Sequence, residues 1–210
     1  VVTYCLVYFS YTPFDQAIII GVSTSLASMV ITGAMAAYAH SKNNNVDRAI
    51  IKIFLPGLII GSLIIGFFIE SIPGDFLKYF FIFYAFVIAY KLFKHQEALK
   101  KSTFPNRLLS NMISFVFSII SGIVGIGGAT LFVPFLIKNN IPPKLAIGTS
   151  SVLGFFIGLS ASIAIYISYL YSGLNNQQTF GFIYTPAILF LTLPSLIFIK
   201  LSAGWLLKLD

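Results

Sequence analysis

Charged residues are scarce in this sequence. Asp, Glu, Lys and Arg together make up 9% of its 210 residues, whereas an average soluble domain contains about 25%. The longest stretch without a charged side chain runs from 145 to 199. Because a helix that crosses a bilayer needs about 20 mostly apolar residues, this pattern excludes an ordinary soluble domain. It predicts an all-α fold, a polytopic bundle of transmembrane helices.

Residues that carry out chemistry are also missing. The one cysteine, Cys5, excludes an internal disulfide, and we interpret it as a small residue that faces lipid. No His, Cys, Asp and Glu residues follow metal-ligand spacing, no glycine loop ends in the Lys of an ATP-binding motif, and no serine has the setting of a nucleophile. The sequence therefore predicts neither an enzyme, nor a metal site, nor a cofactor.

Basic residues are concentrated between the apolar runs. The net charge of +7 also occurs in proteins that bind nucleic acid, but cytoplasmic loops of membrane proteins collect Lys and Arg too. Segments 40–52 and 91–107 are basic, whereas 172–179 contains neither Lys nor Arg. We therefore predict no nucleic-acid partner. The two basic segments are placed in the cytoplasm and the third outside, as in a protein of the bacterial inner membrane.

The apolar runs predict where helices begin and end. The expected helices cover 15–39, 49–69, 76–93, 145–171 and 180–200, with a broken element at 108–138 and a final stub from 203. Lys78, near the end of one of them, is expected to reach the lipid headgroups, and His40 to anchor another at the membrane surface. The chain begins and ends inside apolar stretches, so we expect both ends to be truncated.

One apolar run is interrupted by glycine. The stretch SGIVGIGGATLFVP contains Gly122, Gly125, Gly127, Gly128 and Pro134. Glycine costs a helix interior about 1 kcal/mol relative to alanine, and proline about 3. A single helix over 108–138 would be about 45 Å long, longer than the roughly 30 Å apolar layer. We predict two half-helices in a re-entrant hairpin, which the charges favour over a single span because a single span would place Lys200 outside.

Two parts of the chain resemble each other. GVSTSLASMVITGAMAAYAH begins at Gly21, AIGTSSVLGFFIGLSASIAIYI begins at Ala146, and each carries a Thr-Ser pair near the start of a long helix. The matching positions are Thr24 and Thr149, Ser25 and Ser150, Pro56 and Pro186, Ser62 and Thr192, and Gly74 and Gly204. We predict two repeats, 1–94 and 107–210, joined by a basic cytoplasmic linker at 95–106. The charge pattern makes them inverted repeats, an arrangement found in secondary transporters.

The stretch GIVGIGGATLFVPFLIKNNIPPKLAIGTSS resembles the signature of the sulfite exporter TauE/SafE family of membrane transporters. The matching residues are Gly125, Gly127, Gly128, Pro134, Ala146, Gly148, Thr149 and Ser150. STSLASMVITGAMAAYAHSKNNNVDR is similar to the first repeat of that family, whose first glycine-rich hairpin would precede Val1. Ala129 departs from the pattern, which often has a third glycine there. The resemblance implies transport of small anions such as sulfite, sulfoacetate or sulfonates, and leaves the substrate open.

An anion inside a membrane needs hydrogen-bond donors and positive potential, and the N-terminus of a half-helix offers both. We expect two such termini, one at Ala129 and Thr130 and one at Gly148–Ser150. The candidate substrate-binding residues are Thr24, Ser25, Gly125, Gly127, Gly128, Ala129, Thr130, Pro134, Gly148, Thr149 and Ser150, with Ser151 as a further donor. The alternatives are that these small residues only pack helices together, or that their hydroxyls bond back to the helix backbone.

The function hypothesis is a secondary, alternating-access exporter of a small anion, with the lipid bilayer as its other partner. A homo-oligomer and the energy source are left open. A non-transporting membrane scaffold or assembly factor is the alternative from a different class, and it would need no polar cavity. A channel is a third reading, which saturable counterflow would argue against.

Overall fold

A computed structural model describes residues 3, 6–8, 13–93, 104–172, 179–180 and 183–206. Beyond short helical pieces near the start, these residues form seven α-helices: α1 Phe14–Lys42, α2 Arg48–Phe68, α3 Gly74–Phe93, α4 Arg107–Val124, α5 Ala129–Lys138, α6 Pro143–Ser172 and α7 Thr185–Leu206. A 3₁₀ turn, Ile69–Ser71, follows α2. Two antiparallel two-residue strands, β1 Thr179–Phe180 and β2 Ile183–Tyr184, precede α7.

Four segments within the described residues are long and apolar enough to cross a membrane, namely Gln16–Lys42, Arg48–Ser71, Arg107–Val124 and Pro143–Tyr171. They confirm the prediction of a helical membrane protein. The apolar helices Ala129–Lys138 and Thr185–Ser195 are shorter. Most of the predicted linker 95–106, most of the uncharged loop 172–179, and Cys5 lie outside the described residues.

Side-chain caps explain where two of the spanning helices start. The Asp47 carboxylate accepts hydrogen bonds from the backbone N–H groups of Ala49 and Ile50, at 2.9 and 3.2 Å, at the start of α2. The Asn106 side chain accepts one from Leu109 N–H, at 3.0 Å, at the start of α4. Such caps satisfy backbone donors that have no partner inside the helix.

Three details add to or differ from the sequence expectations. The two arms of the broken element are unequal: α4 has 18 residues and α5 has 10, about 27 and 15 Å long, because the break comes late, at Gly125. The helix α7 continues to Leu206 without the expected new start near 203. Pro186 is the second residue of α7, whereas Pro56 lies well inside α2 and Pro194 lies inside α7.

Small residues bring α2 and α4 into close contact. A Cβ atom at Gly57 would collide with the Asn111 backbone carbonyl, and one at Gly61 would collide with Ser118. The Ser114 hydroxyl donates a hydrogen bond of 2.9 Å to the Phe54 carbonyl across this contact. Because residue numbers rise together along both helices, α2 and α4 run in the same direction. Close approach through small residues is how membrane helices commonly pack.

The helices α1 and α6 also meet through glycine, but they run in opposite directions. A Cβ atom at Gly33 would lie 3.1 Å from Phe155 Cα, and one at Gly158 would lie 3.0 Å from the Leu26 carbonyl oxygen and 3.3 Å from Val30 N. Fully buried Leu153 and Ile157 belong to α6. This helix therefore lies in the core, against both α1 and α2.

The short helix α5 folds back along α4. The Phe117 ring of α4 lies 5.3 Å from the Phe132 ring and 5.7 Å from the Phe135 ring of α5, centroid to centroid. Phe54 of α2 contacts the same two rings, at 5.7 and 6.0 Å. These edge-to-face pairs, of the kind that add about 0.5–1.5 kcal/mol beyond burial, hold α5 against α4 and α2.

The aromatic helix α3 is exposed along much of its length. Its exposed side chains include Phe76, Tyr79, Phe81, Phe83, Phe86 and Tyr90. In a membrane protein such residues suit the bilayer core and interface.

Candidate functional site

The chain between α4 and α5, residues 125–128, forms what we call the glycine turn. Gly125 has φ +69°, a left-handed conformation that side chains other than glycine rarely adopt. Its N–H donates to the Gly122 carbonyl at 3.3 Å, and Ile126 N–H donates to the Ser121 carbonyl at 3.1 Å. These two bonds are those of a glycine-terminated helix end. The glycine cluster therefore breaks the helix where the sequence predicts.

The second half of the glycine turn starts α5. The Gly128 carbonyl accepts hydrogen bonds from Leu131 and Phe132 N–H, at 3.0 and 2.8 Å, and no side chain caps this end. A Cβ atom at Gly128 would lie 2.8 Å from Phe132 Cδ2 and 2.9 Å from Ile157 Cδ1. The first N–H groups of a helix have no partner inside it and carry positive potential. Ala129 and Thr130 therefore do begin a helix, as predicted.

A serine of α1 is tied to the glycine turn. The Ser25 hydroxyl donates a hydrogen bond of 2.6 Å to the Gly125 carbonyl. The structure thus brings together two predicted site residues that are 100 positions apart in the chain. On the far side of the turn, the Tyr84 hydroxyl of α3 is 2.7 Å from the Thr130 hydroxyl, so α3 also contacts the first turn of α5. No local pattern in the sequence indicates Tyr84 as a site residue.

A cavity of about 640 Å³ lies beside the glycine turn. It lies between α1, α3, the end of α4 and α7, and its lining residues are Thr3, Phe14, Ile18, Gly21, Val22, Ser25, Leu77, Lys78, Phe81, Ile82, Ile123, Val124, Gly125, Ile126 and Leu191. Ser25 and Gly125 are the predicted site residues among them. Gly127, Gly128, Ala129, Thr130 and Pro134 do not line this cavity, and Pro134 is an exposed residue inside α5.

Lys78 is the one charged residue among those described as lining the cavity. Its ammonium nitrogen lies 5.3 Å from the centre of the Phe14 ring and 5.6 Å from that of the Tyr79 ring, within reach of cation–π attraction. The sequence assigned Lys78 to the lipid headgroups because it lies near a helix end. Only the packing of α3 beside α1 reveals that it borders a cavity.

The two predicted Thr-Ser pairs are not at helix starts. Because α6 begins at Pro143, Gly148 and Thr149 lie in its second turn, and Thr24 lies eleven residues into α1. Backbone N–H groups at these positions are inside regular helix, where they bond to carbonyls four residues earlier. The expected half-helix terminus at Gly148–Ser150 is therefore wrong.

Both buried threonines instead hold another segment in place. Thr149 Oγ1 accepts a hydrogen bond of 3.0 Å from Asp47 N–H, just before α2. Thr24 Oγ1 accepts one of 2.9 Å from Tyr184 N–H, just before α7. Gly148 lies so close to the Asn45 carbonyl that a Cβ atom there would collide with it.

The remaining predicted hydroxyls behave differently from one another. Ser151 donates back to the Ile147 carbonyl at 2.9 Å, as in the alternative in which hydroxyls bond back to their own helix. Ser150 is fully buried, and its hydroxyl has no hydrogen-bond partner within the described structure. Among the described residues, no group of three His, Cys, Asp or Glu side chains is placed to hold a metal ion.

Comparison with known proteins identifies related sequences. The family profile described as "Sulfite exporter TauE/SafE" matches residues 1–210. A "Probable membrane transporter protein" of Haemophilus influenzae is 31% identical over 190 residues, which are 89% of this chain and 71% of that protein. A probable membrane transporter protein of Methanocaldococcus jannaschii is 26% identical over 200 residues, 92% of this chain and 72% of that protein.

A plant protein is similar over a shorter region. "Sulfite exporter TauE/SafE family protein 5" of Arabidopsis thaliana is 39% identical over 88 residues, which are 41% of this chain and 18% of that protein. No solved structure matches the chain.

Proposed function

This chain belongs to the sulfite exporter TauE/SafE family of membrane transporters, and we propose that it is a secondary carrier that exports a small anion by alternating access. Sulfite, sulfonates and related organosulfur anions are the proposed substrates. The candidate substrate path runs past the glycine turn, with Thr24 and Thr149 in supporting positions on the neighbouring helices. The membrane proposed is the bacterial inner membrane, with segments 40–52 and 91–107 in the cytoplasm.

The observation that carries this proposal is the glycine turn on the wall of a cavity. Backbone that is not helical is tolerated at membrane depth only where protein buries it or where it lines a cavity. Here Gly125, in its left-handed conformation, borders a cavity of about 640 Å³ and is tied to α1 through Ser25. Discontinuous helices at such positions form the substrate sites of many secondary transporters. A non-transporting scaffold would not require a broken helix beside a cavity.

Reciprocal contacts support inverted repeats. Thr149 lies 125 positions after Thr24, and each accepts a backbone N–H from the segment before a helix of the other proposed repeat. Gly158 likewise lies 125 positions after Gly33. Gly33 meets Phe155, and Gly158 meets Val30, which is the residue 125 positions before Phe155. Contacts that exchange in this way are typical of two units related by a two-fold axis.

The positions of three helix starts support the re-entrant hairpin. The start of α4 packs beside the first half of α2, through Asn111 and Gly57. The start of α6 bonds, through Thr149, to Asp47 just before α2. The segment 107–142 therefore begins and ends near the same end of α2. This is what a hairpin that enters and leaves on one membrane face requires.

Replacing Gly125 by alanine tests the proposal. Alanine in the left-handed region costs about 1–2 kcal/mol, and its Cβ would press on Val22 at 3.3 Å. We expect uptake of radiolabelled sulfite into proteoliposomes of the full-length protein to fall about tenfold, the factor that 1.4 kcal/mol represents, while membrane insertion persists. Gly154→Ala is the matched control, because its Cβ would meet its nearest neighbour, Gly128 N, at an ordinary 3.8 Å.

Two results would overturn the proposal. One is equal flux through Gly125→Ala and the unchanged protein. The other is a wild-type protein that moves none of sulfite, sulfonates and thiosulfate, with no competition among them, which would favour the scaffold.

A further inference from the structure

We infer that Lys78 recruits the ligand of the cavity, and that this ligand is an organic anion with an apolar portion rather than a bare inorganic oxyanion. The inference rests on the proposed function and deepens it. It assigns a residue to the recognition of charge, and it narrows the substrate class to compounds such as alkyl or aryl sulfonates.

The position of the Lys78 ammonium supports the first half of the inference. The group lies over two aromatic rings, Phe14 of α1 and Tyr79 of its own helix, at 5.3 and 5.6 Å. An aromatic face attracts a cation but takes up none of the three N–H donors of an ammonium in strong hydrogen bonds. Within the described part of the chain no carboxylate pairs with Lys78. The ammonium therefore lies beside the cavity, with N–H donors that the side chains described in the structure leave free for an anion.

The walls of the cavity support the second half. Apart from Lys78, the α3 side of the cavity is formed by Leu77, Phe81 and Ile82, and Ile18 and Leu191 contribute from α1 and α7. Burying apolar surface is favourable by roughly 25 cal/mol per Å², and a bare oxyanion has none to bury. The volume of about 640 Å³ also lies in the range of roughly 300–1,000 Å³ typical of sites for larger organic ligands. An anion with an organic portion suits both features.

An anionic phospholipid shares this chemistry, but a cavity of about 640 Å³ has the size typical of sites for drug-sized ligands. We therefore commit to a soluble organic anion. The lipid is distinguished by the membrane used in the test, because a neutral-lipid nanodisc offers no competing anionic headgroup. If none of the three soluble probes binds and added anionic lipid does, the lipid is the ligand.

The test is equilibrium binding to the full-length protein in nanodiscs of neutral lipid, measured by calorimetry. The probes are benzenesulfonate, ethanesulfonate and sulfite. We expect affinity to fall in that order, and Lys78→Gln to raise the Kd of benzenesulfonate about fivefold, in keeping with one partly exposed charge. Lys78→Arg, which keeps the charge, should bind within about twofold of the unchanged protein.

Lys52→Gln is the matched control, since Lys52 is the fifth residue of α2 as Lys78 is the fifth of α3, and both side chains are exposed. It should leave the Kd unchanged.

The inference is overturned if Lys78→Gln binds like the unchanged protein, if sulfite binds as tightly as benzenesulfonate, or if only anionic lipid binds. Binding can occur without transport. If binding depends on Lys78 but no anion is transported, only the proposed carrier function is rejected. Flux without such binding would reject this inference alone.

Discussion

The pairs Thr24–Ser25 and Thr149–Ser150 occupy corresponding positions on α1 and α6. Their threonines make similar contacts, but their serines do not. Both threonines are buried and accept a backbone N–H from the segment before another helix. The serines differ: Ser25 donates to the Gly125 carbonyl and lines the cavity, whereas Ser150 is buried without a hydrogen-bond partner in the described structure. The threonines thus perform a structural task common to the two halves, and the serines mark where the halves diverge.

Among the substitutions that test this comparison, Gly148→Ala is expected to have the largest effect on stability. The added Cβ would collide with the Asn45 backbone carbonyl beside the Thr149 contact, and overpacking of this kind costs about 1–3 kcal/mol. Thermal unfolding in detergent should show a clear drop in Tm. The control is Ser23→Ala, since Ser23 is the corresponding position on α1 and its buried hydroxyl has no partner among the described residues. Equal loss from both changes would contradict the close approach at Gly148.

A smaller and equal effect is expected from Thr24→Val and Thr149→Val. Each change keeps the shape of the side chain and removes the acceptor of one backbone N–H. Hydrogen bonds in membrane proteins contribute about 0.6 kcal/mol on average and up to about 1.7, so denaturant titrations should show a loss of about 1 kcal/mol for each. The serine substitutions, which keep the hydroxyl, should lose less. If only one valine variant is destabilised, the reciprocity of the two contacts does not extend to their energies.

Ser25→Ala and Ser150→Ala should have the smallest effects on stability. The two variants should nevertheless differ clearly in anion flux. Losing the Ser25 hydroxyl frees the Gly125 carbonyl and loosens the glycine turn, so anion flux should fall about threefold, roughly the factor that 0.6 kcal/mol represents. Ser150→Ala removes a hydroxyl that has no partner and should leave flux and Tm unchanged. Flux assays at matched protein density in proteoliposomes compare the two. A larger flux defect in Ser150→Ala would place the substrate path on α6 instead.

Local signals predicted most of the fold. The caps at Asp47 and Asn106, and the left-handed Gly125, act through their own backbone neighbours, so the helix boundaries and the break could be read from the sequence. One local signal was missed: Pro143 begins α6, and proline is favoured at the first position of a helix. Giving it due weight would have placed the helix start five residues before Gly148, too far away for that glycine to form the helix terminus.

The cavity could not be predicted, because it depends on which helices pack together. Nothing local to Lys78 shows that α3 lies beside α1 and the glycine turn. The serines of α4, by contrast, left a readable pattern. Ser110, Ser114, Ser118 and Ser121 recur at helical spacing and all are buried. Such a stripe of small residues is typical of a close contact between membrane helices, but it does not identify α2 as the partner.

The close contact between α2 and α4 has a consequence for how the helices can move. Helices that touch backbone to backbone, as these do at Gly57 and Gly61, cannot slide past each other without opening a gap along the whole contact. We therefore expect α4 to keep its position against α2 during transport. The shorter α5, with 10 residues, is expected to move relative to α4. Paired spin labels would report a constant separation across α2 and α4 and a variable one across α4 and α5 when an anion is added, and the reverse pattern would assign the swinging part to α4.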